Sequence, residues 1–217
     1  MRRSQLKEMI LSGESTTVEF KRKFTSPEKI AKELTSFANT KGGYLLIGVD
    51  DDKKIVGIQS EKEDMSRLEQ ACLFYCEPIL EPIIYIVPVD YKDILAIYIP
   101  ESEQKPHYVI DPSAPNEKKV YIRQGEESVS ASKEMIRILR SQSHDAQPLT
   151  LSIGDKERRL FEYLDKQKRA TIKDFSSLVN ISDRRAARLL VRLVRAGVLN
   201  IHTDQSNDYY TLVERPH

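Results

Sequence analysis

A polar, proline-bearing stretch, Ser141–Pro148 (SQSHDAQP), separates two different hydropathy patterns, and that contrast limits the folds open to the chain. Before it, apolar and β-branched runs alternate with helical periodicity, the pattern of a mixed α/β (α+β) domain. After it come three helical segments and a strand pair. The spacing predicts a boundary near Asp145, with domains over residues 1–145 and 146–217.

In the first domain a short helix over Arg2–Leu11 leads to a strand near Thr17–Lys23. Pro27 suits the first turn of a helix running to about Thr40, and Lys41-Gly42-Gly43 stops it. Tyr44–Asp50 and Lys54–Ile58 flank the polar Asp51-Asp52-Lys53 and read as a hairpin whose first strand is central, being apolar on both faces. A helix over Lys62–Cys76 precedes Glu77-Pro78. Strands near Ile83–Val89, Ile94–Ile99 and Lys119–Gln124 complete the sheet, and a helix over Ala131–Arg140 closes the domain.

The second domain reads as helices Asp155–Lys168, Thr171–Val179 and Ser182–Ala196, then strands Val198–His202 and Tyr209–Val213, the order of a winged helix-turn-helix. Thr171 with Asp174 has capping-box spacing. Ser182 followed by Asp183 supplies a side-chain acceptor and a negative charge to the next helix start. Asn180-Ile181 gives a tight connection, and Gly197 ends the third helix. There Ala186, Leu189, Leu190, Leu193 and Val194 form an apolar stripe, leaving Arg184, Arg185, Arg188, Arg192 and Arg195 mostly off it. Arginine's planar fork makes paired bonds to guanine or to phosphate, and a recognition helix reads bases from its N-terminal residues. Arg184, Arg185 and Arg188 are the base-reading candidates, with Arg192 beside them; Asp183 and the wing-tip acids Asp204 and Asp208 count against a backbone grip.

A net charge of +1 conceals an asymmetry: residues 146–217 carry 13 basic and 9 acidic side chains, so the positive field belongs to the C-terminal part. No apolar run is long enough to cross a bilayer and the N-terminus lacks a leader's apolar core, so a cytoplasmic protein is expected. Cys72 and Cys76, four apart on the expected helix, read as buried thiols on one face. The four histidines fall at no structural-zinc spacing.

Gly13–Lys21 (GESTTVEFK), Ser36–Asp51 (SFANTKGGYLLIGVDD) and Tyr121–Gly125 (YIRQG) together resemble the Schlafen Alba-like domain family over roughly residues 8–140. On the strand, Val18 and Phe20 alternate with Glu19 and Lys21, which turns the two charged residues to one face, away from the core. If that strand neighbours the one ending at Asp50, carboxylates converge there that could hold Mg²⁺ or Mn²⁺ and activate water. The resemblance to Schlafen endoribonucleases implies that Glu14, Glu19 and Asp50 are the catalytic and metal-binding acids, with Asp50 ahead of Asp51 and Lys21 a phosphate contact. Lys105-Pro106-His107-Tyr108 and Arg123 are candidates to line the same groove.

The residues also fit a bland reading, in which Glu14 caps a turn, Glu19 pairs with Lys21 and Asp50–Asp52 shape a hairpin. The vertebrate enzymes surround RNA with two such lobes, so a single lobe implies a homodimer. Family members also carry an ATP-binding label, but Gly42, Gly43 and Gly48 lack the lysine-Ser/Thr pattern of a phosphate loop. The expected function is a nucleic-acid-binding protein acting as a DNA-binding transcriptional regulator. A metal-dependent ribonuclease and a protein-interaction or ATP-binding module are the alternatives.

Overall fold

The computed structural model describes residues 1–142, 153–203 and 207–213. The chain divides into two compact units, Met1–Ser130 and Ala131–His217.

The first unit contains α1 (Arg3–Ser12), β1 (Val18–Lys21), α2 (Pro27–Asn39), β2 (Gly43–Ile47), α3 (Glu61–Phe74), β3 (Cys76–Glu77), β4 (Ile83–Val89), β5 (Lys92–Ile99), β6 (Tyr108–Asp111), β7 (Ala114–Gln124) and β8 (Glu127–Ser130). These strands form two four-stranded sheets, β1-β2-β5-β4 and β3-β6-β7-β8, where the sequence reading expected one. β1 and β2 run parallel, Phe20 opposite Leu46, across the α2 crossover; the other pairings are antiparallel.

α2 is the common element between the sheets. Ser26 caps it, accepting from the Lys29 N–H at 3.4 Å, and Pro27 occupies the first turn. Ile30, Leu34, Phe37 and Ala38 pack with Leu45, Ile47, Leu95 and Ile97 of the first sheet and with Leu68 and Cys72 of α3. At the end of α2, Asn39 Nδ2 donates to the carbonyls of His107 and Tyr121, both at 2.9 Å, tying the helix to β6 and β7. The other face of the first sheet is covered by Leu6 and Ile10 of α1, packed on Phe20, Leu46, Val87 and Ile94. This two-sided cover explains why β2 reads as continuously apolar.

The expected hairpin of Tyr44–Asp50 with Lys54–Ile58 does not form. Both edges of β2 are taken by β1 and β5, so Lys54–Ile58 has no edge to pair with beyond a single bridge from Val49 to Ile55. The chain folds back instead on the Gly48 carbonyl, which accepts from the N–H groups of Val56 and Gly57 at 2.9 Å. Gly48 has φ +101°, and a Cβ there would lie 3.0 Å from the Gly57 backbone. The α3 helix also ends earlier than expected. Cys76 lies in β3, opposite Val109, so the two thiols do not share a helix face. Both are buried, and burial pushes the Cys72 thiol up to about 12 and Cys76 upward as well.

The second unit holds α4 (Lys133–Gln142), α5 (Asp155–Gln167), α6 (Ile172–Val179), α7 (Asp183–Arg195) and the antiparallel pair β9 (Leu199–His202) and β10 (Tyr209–Leu212). Leu160, Leu164, Phe175, Leu190, Leu193, Leu199 and Tyr210 form its core. The helix expected to close the first domain, α4, groups with this unit, its Ile138 and Leu139 buried. The expected boundary at Asp145 lies outside the described residues. Thr171 and Asp174 make the expected capping box: Thr171 Oγ1 accepts from the Asp174 N–H at 3.2 Å, and Asp174 Oδ2 accepts from the Thr171 N–H at 2.8 Å. Ser182 differs from expectation, because its side chain makes no capping bond and its carbonyl instead accepts from the N–H groups of Arg185 and Ala186 at 2.9 Å.

Candidate functional site

α7 follows α6 after the left-handed Asn180 (φ +52°) and Ile181, whose N–H donates to the Ser176 carbonyl at 3.0 Å. Ala186, Leu190 and Leu193 enter the core, so the 3.6-residue period turns Arg184, Arg185 and Arg188 outward. All three are exposed, and none of their guanidinium groups joins an ion pair or hydrogen bond among the described residues. Arg195 is exposed and Arg192 half-buried, and each has an interaction within the chain. Among the described residues, the α7 guanidinium groups without a partner therefore lie in the first two turns of the helix.

Beside it, the β9–β10 pair carries an aromatic stack. His202 and Tyr209 lie ring to ring at 4.7 Å, with the Arg169 guanidinium 5.8 Å from the Tyr209 ring centre. Asp204 lies outside the described residues. Asp208 does not stand at an exposed tip: its carboxylate accepts from the Ser132 hydroxyl, and burial raises its pKa above the usual carboxylate value, with Glu134 nearby adding to the rise.

The second set of candidates lies in the first unit. Glu19 and Lys21 share a face of β1 and pair with each other, as their alternation requires. That face is not open to solvent. Arg123 of β7 enters it with a side chain 0% exposed, and Glu19 is buried beneath. Arg123 Nη1 lies 2.9 Å from Glu19 Oε2 and 3.3 Å from Glu33 Oε2, while Nη2 donates to the carbonyls of Ser15 and Glu126, both at 2.8 Å. The guanidinium also sits 4.9 Å from the Phe37 ring centre. Arg123 is thus a buried clamp and has no face for a phosphate, contrary to its expected role. Lys21 is partly covered as well, its ammonium engaged by Glu19.

The expected carboxylate triad is not assembled. Both oxygens of Glu19 face cations, on Lys21 and Arg123. Glu14 Oε1 accepts from the Phe20 N–H at 2.8 Å, and Asp50 turns to Arg22 and to the Asp51 N–H. Burial raises the Glu14 pKa, the Phe20 N–H opposes that, and Glu19 and Asp51 add to the rise. Among the described residues no group of three or more His, Cys, Asp or Glu side chains is placed to hold a metal ion. The donor set does not fit Mg²⁺ or Mn²⁺, because these oxygens are already spent on cations and backbone N–H groups.

Lys105 and His107 are both buried. Lys105 is buried against Glu101 and donates to the Thr40 carbonyl at 3.3 Å. The His107 ring is held between the Pro78 carbonyl at 3.0 Å and Ser102 Oγ at 2.7 Å, and burial lowers its pKa. The residue that sequence reasoning missed is Glu33. It lies on the helical stripe of Ile30, Leu34 and Phe37, and an acid within a buried stripe signals a buried base.

The profile of the Schlafen, AlbA_2 family matches residues 14–132, more than half of the chain. The chain belongs to that family. Among solved structures, it is similar to the N-terminal domain of a protein from Nitrosomonas europaea related to the ATP-dependent DNA helicase RecG. The two are 26% identical with a TM-score of 0.46, over 61% of this chain and 94% of that one. It is also similar in fold to the DIP2311 protein from Corynebacterium diphtheriae, at 17% identity and a TM-score of 0.51. That match takes in 96% of this chain but 38% of the other, so the chain spans well under half of that protein's length. No helix among the described residues is long and apolar enough to cross a membrane.

Proposed function

We propose that the chain is a nucleic-acid-binding protein, a DNA-binding regulator whose residues 155–213 act as a winged helix-turn-helix with α7 as the recognition helix. The carrying observation is the set of three exposed guanidinium groups without a partner among the described residues, on the first turns of α7, at Arg184, Arg185 and Arg188. A guanidinium with no side-chain partner among the described residues has no ion pair to give up on binding, and its fork suits guanine edges and phosphates. The His202–Tyr209 stack with Arg169 supports a second contact from the β9–β10 wing. The inward turn of Asp208 favours this reading, since it removes a charge that would repel the phosphate backbone.

The regulator works as a homodimer in this reading, presenting two α7 helices to half-sites about 34 Å apart on one face of the duplex. The test is a titration with duplex DNA at two salt concentrations. Binding should weaken steeply with salt, and alanine at Arg184, Arg185 and Arg188 together should lower the slope of log K against log salt by about 2 to 3. An unchanged slope and affinity in that variant would remove the recognition-helix assignment.

A further inference from the structure

β4 is the edge of the first sheet. It pairs with β5 on one side, and among the described residues no backbone hydrogen bond reaches its other side. Edge strands are usually guarded by charges or coverage, because their free N–H and C=O groups invite another strand. Here Ile83–Val89 (IIYIVPV) carries no charged residue. Pro88 lacks an N–H, which confines pairing to the stretch before it.

The edge adjoins an apolar cleft of about 910 Å³ between α3 and the segment entering β4. Leu73 (45% exposed) and Ile79 (56%) line it, with Ile84 on its floor. Ile83 and Ile86, exposed by 48% and 36%, flank the same strand edge on opposite faces, Ile86 on the cleft side with Ile84 and Ile83 on the other. The edge is therefore flanked by exposed apolar side chains on both faces, Leu73, Ile79 and Ile86 on the cleft side and Ile83 on the other, and exposed apolar surface of this kind marks an interaction site. A small molecule filling the cleft leaves Ile83 and Ile86 wet and the strand edge unpaired. A second sheet edge covers both.

We propose that the occupant is a second copy of this chain, joined by antiparallel pairing of β4 with its own image across a two-fold axis. An antiparallel strand pair is related by such an axis perpendicular to the sheet, so each strand is its own complement and the contact closes. An uncharged strand puts no like charges opposite one another when it meets itself. The axis keeps the α3 side of both copies on the same side, so the two clefts meet over one continuous eight-stranded sheet, with α3 and its image flanking the shared apolar floor. The proposal rests on the homodimer reading given above and adds the surface that makes it.

The experiment measures the mass of the full chain by sedimentation equilibrium over a wide concentration range, for the wild type and two variants. Wild type should sediment at twice the 25.0 kDa chain mass. Ile83→Lys with Ile86→Lys should raise the dimer dissociation constant about a hundredfold, while Leu11→Lys, at a still more exposed apolar position on α1, should leave it unchanged. Far-UV circular dichroism melts identify any loss of folding, and the milder Ile86→Thr should weaken the dimer in the same direction. A wild-type dimer that survives the double substitution overturns this surface while the homodimer stands. A wild type that stays monomeric at every concentration overturns both and leaves the cleft to a ligand or a foreign strand.

Discussion

Arg123 of β7 and Glu19 of β1 meet at 2.9 Å in the interior, joining the two sheets of the first unit through a fully buried guanidinium. Glu33 of α2 is the third member, 3.3 Å from the same nitrogen, so one base answers two acids from elements far apart in sequence. A buried ion pair adds little over an apolar substitute of the same shape, but removing one partner strands the other.

Arg123→Ala should therefore destabilise the first unit by about 3–5 kcal/mol, because Glu19 and Glu33 lose their shared cation in a low-dielectric site. Pairing Arg123→Met with Glu19→Gln and Glu33→Gln should recover much of the loss, since it removes charge from both sides. Urea denaturation followed by circular dichroism gives the comparison. A single alanine variant as stable as wild type would show that the clamp is ornamental.

Asp208 supplies a pH-dependent effect. Its folded pKa lies above the ordinary 3.8, so the folded state binds its proton more readily than the unfolded chain does. The charged form consequently subtracts stability at neutral pH, and that deficit is relieved as pH falls from the raised value toward 3.8. Asp208→Asn keeps an oxygen to accept from Ser132 and should raise the melting temperature at pH 7, the gain vanishing near pH 4. Melting curves across that range decide it; a gain that persists at low pH would point to a cause other than charge.

Gly43 opens β2 directly over Phe37. A Cβ there would collide with the Phe37 ring and lie 2.6 Å from the Thr17 carbonyl, so neither a rotamer change nor a small slide makes room. Gly43→Ala should cost roughly 1–3 kcal/mol through overpacking, read as a lowered urea midpoint with an unchanged m-value.

Tyr209 of β10 tests whether the β9–β10 pair contributes to the proposed nucleic-acid contact. If its stack with His202 and its contact with Arg169 face the DNA backbone, Tyr209→Ala should lower duplex affinity about fivefold for all sequences alike, because backbone contacts carry no base preference. Fluorescence anisotropy with two unrelated duplexes measures this, and a loss confined to one of them would assign the stack to base reading.

Much of the fold could be read from the residues themselves where one local rule decides the outcome. The capping pair Thr171–Asp174, Pro27 at the start of α2, and the leucine period of α7 all depend on neighbours within one helical turn. Non-local choices were not legible. Nothing in Lys54–Ile58 announces that both edges of β2 are occupied, and nothing near Cys76 says that the chain leaves its helix to pair with Val109. The same divide runs through the candidate sites. Arginines outside the α7 stripe are visible from periodicity. The fate of Glu19 depends on a guanidinium from another sheet, and alternation along β1 could place Glu19 and Lys21 on one face without revealing what covers it.

Arg123 follows Glu19 by 104 positions and Glu33 by 90. During synthesis both acids must wait for nearly the whole first unit to emerge before their counter-charge arrives, and loop closure over such distances slows assembly. A nascent chain stopped short of β7 would hold two carboxylates that cannot be buried without their partner, so this unit should complete its interior late and in one step rather than strand by strand.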